Sequence, residues 1–300
     1  MQKQAIGSVM AVIAAVCWGV VANAGEFLVG RKGFDAVQLT SLRLIAGGLI
    51  FLAISALQGN RLLEVWKARK DRIELLITGI IGFGICQASF FLSIRMSNGG
   101  TASVLQNTAP VFVLIYTVLH EHRTPYKAEL LSVAAVITGA LLLTTGGNFS
   151  ALAASASGVL LGFLSACTVA LYSILPTRLM EKFGSITISG WSLLLGGLFL
   201  LPFSRIQDFS GIVDISSILV FLFLVFVGTI ATFGLYMRSL PLIGPLKAAV
   251  ICLLEPVVAT VVTIVLFHTA FSAVSLLGIG IILCGILVLT LSSARAVSDL

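Results

Sequence analysis

Charge is what this chain has least of. Its 300 residues include 12 Asp and Glu and 18 Lys and Arg, 10% in all, against 58% hydrophobic residues. A soluble domain could not hide so much apolar surface, and the mean hydropathy of +1.12 excludes one. The chain also lacks a P-loop, a GxSxG turn and a clustered pair of carboxylates, so neither ATPase nor hydrolase chemistry is expected and no catalytic residue is assigned. Histidine is nearly absent. Of three, His120 and His122 flank Glu121 without the HExxH spacing that sets two ligands on one helical face, so no metal site is expected. An intramembrane enzyme would need a nucleophile and a base at matching depth, and no apolar run has a histidine in its interior. The cysteines Cys17, Cys86, Cys167, Cys252 and Cys284 never form CxxC and all fall in apolar stretches, which makes them reduced packing residues. There is no basic face for nucleic acid: the net charge of +6 lies between apolar runs, where membrane topology explains it.

What is there is length enough for about ten apolar crossings of roughly 20 residues each. A sliding hydropathy window places spans near 5–26, 36–58, 73–95, 101–119, 127–146, 157–177, 185–203, 215–237, 245–267 and 273–293. Lys3, the run to Val21 and then Ala22-Asn23-Ala24 imitate a cleavable signal peptide. The run is longer than a signal core and has a partner later in the chain, so it is expected to stay as the first helix.

Alternate loops differ in basic charge. One side carries Lys3, Arg61, Lys67, Arg69, Lys70, Arg72, Arg123, Lys127, Arg178, Lys182, Arg238, Lys247 and Arg295, the other only Arg31, Lys32, Arg95 and Arg205. Since Lys and Arg are retained on the cytoplasmic side, both termini are expected in the cytoplasm, and the basic run at 61–72 reads as a solvated loop near anionic headgroups.

Sliding the chain against itself aligns Gly82 with Gly228, Phe90 with Tyr236, Ser93 with Ser239, Pro110 with Pro256, Gly139 with Gly285 and Thr144 with Thr290. A slightly different offset matches Gly7 through Gly47-Gly48 with Gly158 through Gly196-Gly197. Residues 1–150 and 151–300 are therefore expected to be five-helix repeats. Five is odd, so the second repeat enters the membrane from the opposite side. The expected fold is an all-α membrane protein, ten transmembrane helices in two inverted five-helix repeats around a central cavity, the geometry of alternating access. Small residues such as Gly158 and Gly162 allow close helix contact. Pro110 and Pro256 sit several residues into their spans and are expected to delete a backbone bond each, permitting a hinge.

The chain resembles the drug/metabolite transporter superfamily and, within it, the ten-helix EamA-type exporters. The resemblance rests on Trp18-Gly19, Arg43, the run from Thr101-Ala102-Ser103 to Ala109-Pro110-Val111-Phe112, Glu121 and Gly139, then Leu254-Glu255-Pro256-Val257, Leu277-Gly278 and Gly285. Where the family often has Gly-Glu after the ninth helix, this chain has Phe267-His268. The resemblance implies a ten-helix basket with its cavity lined by the first four helices of each half and the last helix of each half at the periphery.

Polar groups at membrane depth are expensive, so each needs an account. Gln87, Gln106 and Asn107 suit a polar or zwitterionic solute, or equally a bond to a neighbouring helix. Arg43 could meet a carboxylate, snorkel outward or pair with Glu26, which lies near the outer end of the first span. Glu255 could bind an amine, take up a proton or hold a helix end. Trp18, Tyr172 and Trp191 offer aromatic walls. Few charges, several amides and aromatic walls favour a secondary transporter that exports amino acids or related amphipathic metabolites; the alternative is a multidrug exporter of hydrophobic cations. The partners expected are a small-molecule substrate, the lipid bilayer, plausibly a bacterial inner membrane, and a proton as candidate coupling ion, with no cofactor and no nucleic acid. Nothing in the sequence marks an oligomeric state.

Overall fold

The computed structural model describes residues 2–152, 155–204, 211–267 and 272–298. Arg205 and His268 lie outside them. Among the described residues ten helices are long and apolar enough to cross a membrane: α1 Gln2–Arg31, α2 Ala36–Leu57, α3 Arg69–Met96, α4 Gly99–His120, α5 Lys127–Thr145, α6 Ala156–Phe183, α7 Ser185–Phe203, α8 Ile215–Ile243, α9 Pro245–Val265 and α10 Ala273–Ser292. An even number of crossings brings both termini to one face.

Four helices outrun their hydropathy. α1, α3, α6 and α8 are 28 to 30 residues long, where roughly 20 suffice to cross the hydrocarbon core. The added turns carry charge, including Arg69, Asp71 and Glu74 at the start of α3 and Arg178 and Lys182 at the end of α6. Charges stop a hydropathy window but leave the backbone ladder intact.

The repeat is written into the backbone as well as the residues. α3 winds into a π-helical stretch at Ile77–Ile85, and its counterpart α8 does so at Phe226–Ala231. α4 is broken into Gly99–Gln106 and Ala109–His120, and its counterpart α9 into Pro245–Cys252 and Leu254–Phe267. This corrects the expected role of the two prolines. Pro110 and Pro256 stand in the first turn of the second half-helix, where the missing N–H has no intrahelical partner to lose. The break is made by tight i to i+3 turns, Thr108 N donating to Leu105 O (3.1 Å) and Leu253 N to Val250 O (3.2 Å).

Lipid offers helices no hydrophobic drive to associate, so close packing and hydrogen bonds must hold them together. α5 crosses α10 where a Cβ on Gly139 would lie 2.7 Å from Gly278 O, and Ser132 Oγ donates to Gly285 O at 2.7 Å. α2 crosses α7 at Gly48 and Gly197, with Ser41 Oγ donating to Gly197 O at 2.8 Å. α3 lies along α6, and α8 along α1, in equivalent fashion. The side chains left exposed are those of a lipid-facing surface, among them Leu131 and Leu160.

Candidate functional site

Between the repeats lies a cavity of about 530 Å³. Its walls come from α1, α2, α3, α4, α5, α6, α8 and α9; α7 and α10 do not reach it. The mouth is marked by Gly99 and Gly100 at the start of α4 and Leu143 and Thr144 at the end of α5, which places it on the face opposite the termini.

The deep end is aromatic. Trp18 meets Phe233 edge-on at 5.2 Å and Tyr236 at 5.4 Å, while Phe83 stacks on Tyr172 at 4.7 Å. Tyr236 Oη is satisfied by Ser173 Oγ at 2.7 Å, so this ring is packed into the floor with its hydroxyl tied back. Such rings close the path beyond the cavity with planar apolar surface.

The side walls are polar. Gln87 projects from α3, Gln106 and Asn107 from the break in α4, Arg43 from α2 and Glu255 from the break in α9, and all five line the cavity. They differ in how they are held. Gln106 Nε2 donates to Ser165 Oγ at 2.7 Å, bridging to the other repeat. Among the described residues no side chain hydrogen-bonds the amides of Gln87 and Asn107, and none forms an ion pair with Arg43 or Glu255. A guanidinium and a carboxyl group at membrane depth that line one cavity without pairing leave room for a solute that bears both a carboxylate and an ammonium. The pairing of Arg43 with Glu26 does not form, because Glu26 is exposed outside the cavity.

Eight sequence-derived candidates with Pro110 and Pro256 were expected around one site, and nine of the ten residues line this cavity: Trp18, Arg43, Gln87, Gln106, Asn107, Pro110, Tyr172, Glu255 and Pro256. Trp191 is the exception. α7 is held away by its crossing of α2, and the indole Nε1 donates to Leu62 O at 3.0 Å while its ring meets Trp66 edge-on. Sequence reasoning passed over Phe233, Ser103, Thr144, Thr260 and the thiol-bearing walls Cys86 and Cys252. Phe233 was legible in principle, since it lies three residues before Tyr236 on the same helical face. The cysteines carried no signal beyond adjacency, Cys86 to Gln87 and Cys252 to the α9 break.

Known proteins align with this architecture along its whole length. The model of the EamA-like transporter family matches residues 5–145 and 156–291. YicL, an uncharacterized inner membrane transporter of Salmonella typhimurium, is 33% identical over 96% of this chain and 96% of its own. YedA, an uncharacterized inner membrane transporter of Escherichia coli K12, is 24% identical over 88% of this chain and 84% of its own. A crystal structure superposes with a TM-score of 0.80 at 17% identity, covering 97% of this chain and 98% of the other, which shows the shared fold.

Proposed function

Because the chain belongs to the EamA-like transporter family and is a multi-pass membrane transporter, we propose that it is a secondary carrier exporting small zwitterionic metabolites, amino acids foremost, by alternating access. The observation that carries this reading is that Arg43 of α2 and Glu255 of α9 line one cavity, neither ion-paired among the described residues. Arg43 offers planar donors to a carboxylate, and Glu255 accepts from an ammonium. Gln87 and Asn107 supply adaptable amides, and the aromatic floor receives an apolar side chain. The alternative, a hydrophobic cation, would gain from Glu255 and the aromatic floor but would sit against the Arg43 charge, which disfavours it. When solute is absent, Glu255 is the group placed to take up a proton in place of the ammonium, which makes a proton the coupling ion of this reading. The excess of Lys and Arg on the side of the termini supports a cytoplasmic location for both ends.

Purified protein in liposomes tests the reading. Counterflow of labelled amino acids should exceed that of sugar phosphates and lipophilic cations, and an imposed pH gradient should drive net accumulation. A preference for lipophilic cations over every zwitterion would replace the zwitterion by the drug cation as substrate class.

A further inference from the structure

An inverted repeat makes the two faces of a carrier counterparts of each other. A contact that seals one face must have its equivalent broken on the open face, whereas a contact intact in both copies at once is not a seal. The structure has one face open and one closed, so every inter-repeat contact can be sorted by this criterion.

The two halves of α4 and α9 sort as a seal. On the face of the termini, Ala109–His120 packs against Pro245–Cys252, with Val113, Leu114, Leu246, Val250 and Ile251 in one apolar core. The equivalent pair on the other face, Gly99–Gln106 and Leu254–Phe267, stands apart across the cavity, with Ser103 on one wall and Thr260 on the other.

The long helix pairs sort the other way. α3 and α6 touch from face to face: Arg178 Nη2 bridges Asp71 Oδ1 and Glu74 Oε2 at 2.6 Å each and Lys182 Nζ reaches Asp71 Oδ2 at 2.6 Å on the closed side. At mid-depth a Cβ on Gly82 would come within 2.9 Å of Tyr172 Cβ, and on the open side Ser93 Oγ donates to Gly158 O at 2.8 Å. The equivalent pair, α8 and α1, is just as continuous. Lys32 pairs with Asp214 on the open side, Gly228 abuts Val21 at mid-depth, and Gly7 abuts Leu242 and Ile243 on the closed side. The ion pairs themselves are equivalent: Lys32 and Lys182 end the first helix of their repeats, and Asp71 and Asp214 stand at the start of the third.

We infer that α3 with α6, and α1 with α8, are two rigid posts that persist through the transport cycle, each built from one helix of either repeat and clamped at one end by its ion pairs. The half-helices of α4 and α9 swing between them. The moving unit is then not a whole repeat, although the repeat boundary would suggest it. This rests on alternating access but on no particular solute.

The test reads conformation without substrate. In a full-length chain with its five cysteines replaced by Ala, single reporters Ser103→Cys, on the cavity wall, and Leu246→Cys, in the buried core of the closed face, are labelled by a membrane-impermeant maleimide from the open and closed faces respectively. Asp71→Asn with Glu74→Gln should lower the unfolding temperature while keeping the ratio of the two labelling rates within about twofold, whereas Val250→Ser should shift that ratio towards the closed face by about fivefold or more. If the double variant does not fold, Lys182→Gln, whose side chain is 52% exposed, carries the same expectation. A shift of the ratio on neutralising the cluster as large as that of Val250→Ser would make the cluster a seal and overturn the assignment. An unchanged ratio in Val250→Ser would equally overturn it, by removing the swinging half-helices. Failure of amino-acid counterflow leaves both outcomes readable.

Discussion

Along α4 the chain breaks at Asn107 and Thr108, and along α9 it breaks at Leu253, in the equivalent stretch of the other repeat. The backbone device is the same in both, down to a proline in the first turn that follows. The chemistry is not. The α4 break carries two amides, Gln106 and Asn107, whereas the α9 break carries Cys252 and Glu255. Inversion places the two breaks face to face across one cavity. Duplication has thus kept what breaks the helices and divided the polar groups that line the cavity, neutral amides at one break and a carboxylate at the other.

Removing a charge should separate the two breaks most. A hydrogen bond to a charged group contributes about 1.5–3 kcal/mol, which corresponds to roughly ten- to hundredfold in affinity. Glu255→Gln and Arg43→Gln should therefore weaken zwitterion binding to the purified protein by that factor. Binding equal to the parent in both variants would sink the two-charge site.

The amides on the α4 side should matter less and should differ among themselves. Asn107→Ala and Gln87→Ala each remove about 1 kcal/mol of contact and weaken binding several-fold. Gln106→Ala should show itself first in thermal stability, since its amide already donates to Ser165 Oγ at 2.7 Å. Thermal melts and binding isotherms on the same samples separate the two effects.

Smaller still is the effect of the shared prolines on stability. Pro110→Ala and Pro256→Ala should change unfolding free energy by no more than about 1 kcal/mol, because neither proline removes an intrahelical bond. Turnover should fall further than membrane abundance, as alanine lets each helix anneal across its break. Equal losses of abundance and turnover would return both prolines to a structural role. At the bottom of the scale, Trp191→Phe should leave solute affinity unchanged and cost about 1 kcal/mol of stability, from the lost bond to Leu62 O. A several-fold loss of affinity there would mean that α7 reaches the solute after all.

The outer ion pair gives a pH contrast. Lys32 first, then the Ser217 N–H and Ser216 hydroxyl, hold the Asp214 carboxyl well below the usual carboxylate range. A depressed folded-state pKa contributes stability above the unfolded pKa and loses it as pH falls through the folded one. The melting difference between parent and Asp214→Asn should accordingly be flat near neutrality and shrink only in acid. A difference that grew on acidification would contradict the pairing.

Ten crossings, the repeat and most of the cavity-lining residues were legible because each depends on the price of polarity in lipid. Gln87, Gln106, Asn107, Arg43 and Glu255 are conspicuous simply by lying in apolar runs. The same rule failed at the helix ends. Asp71, Arg178 and Lys182 fall in stretches read as loop and Glu74 at the edge of a span, yet all four lie on helical turns and join α3 to α6. Trp191 failed for a different reason: a span shows which residues are at depth but not which way its face turns.

That the chain lives in a membrane, how often it crosses, that its halves are inverted and which polar groups must be sheltered can all be read along the chain. These follow from hydropathy and parity, which are properties of position along the chain. Packing in three dimensions settles which sheltered groups share a cavity, that Gln106 is tied to Ser165 while Asn107 has no such tie among the described residues, and that the tight contacts run between repeats. Those outcomes depend on the rotation of each helix about its axis and on glycine contacts such as Gly82 on Tyr172 and Gly228 on Val21, and helix rotation is set by packing against neighbours that may lie more than a hundred residues away in the chain.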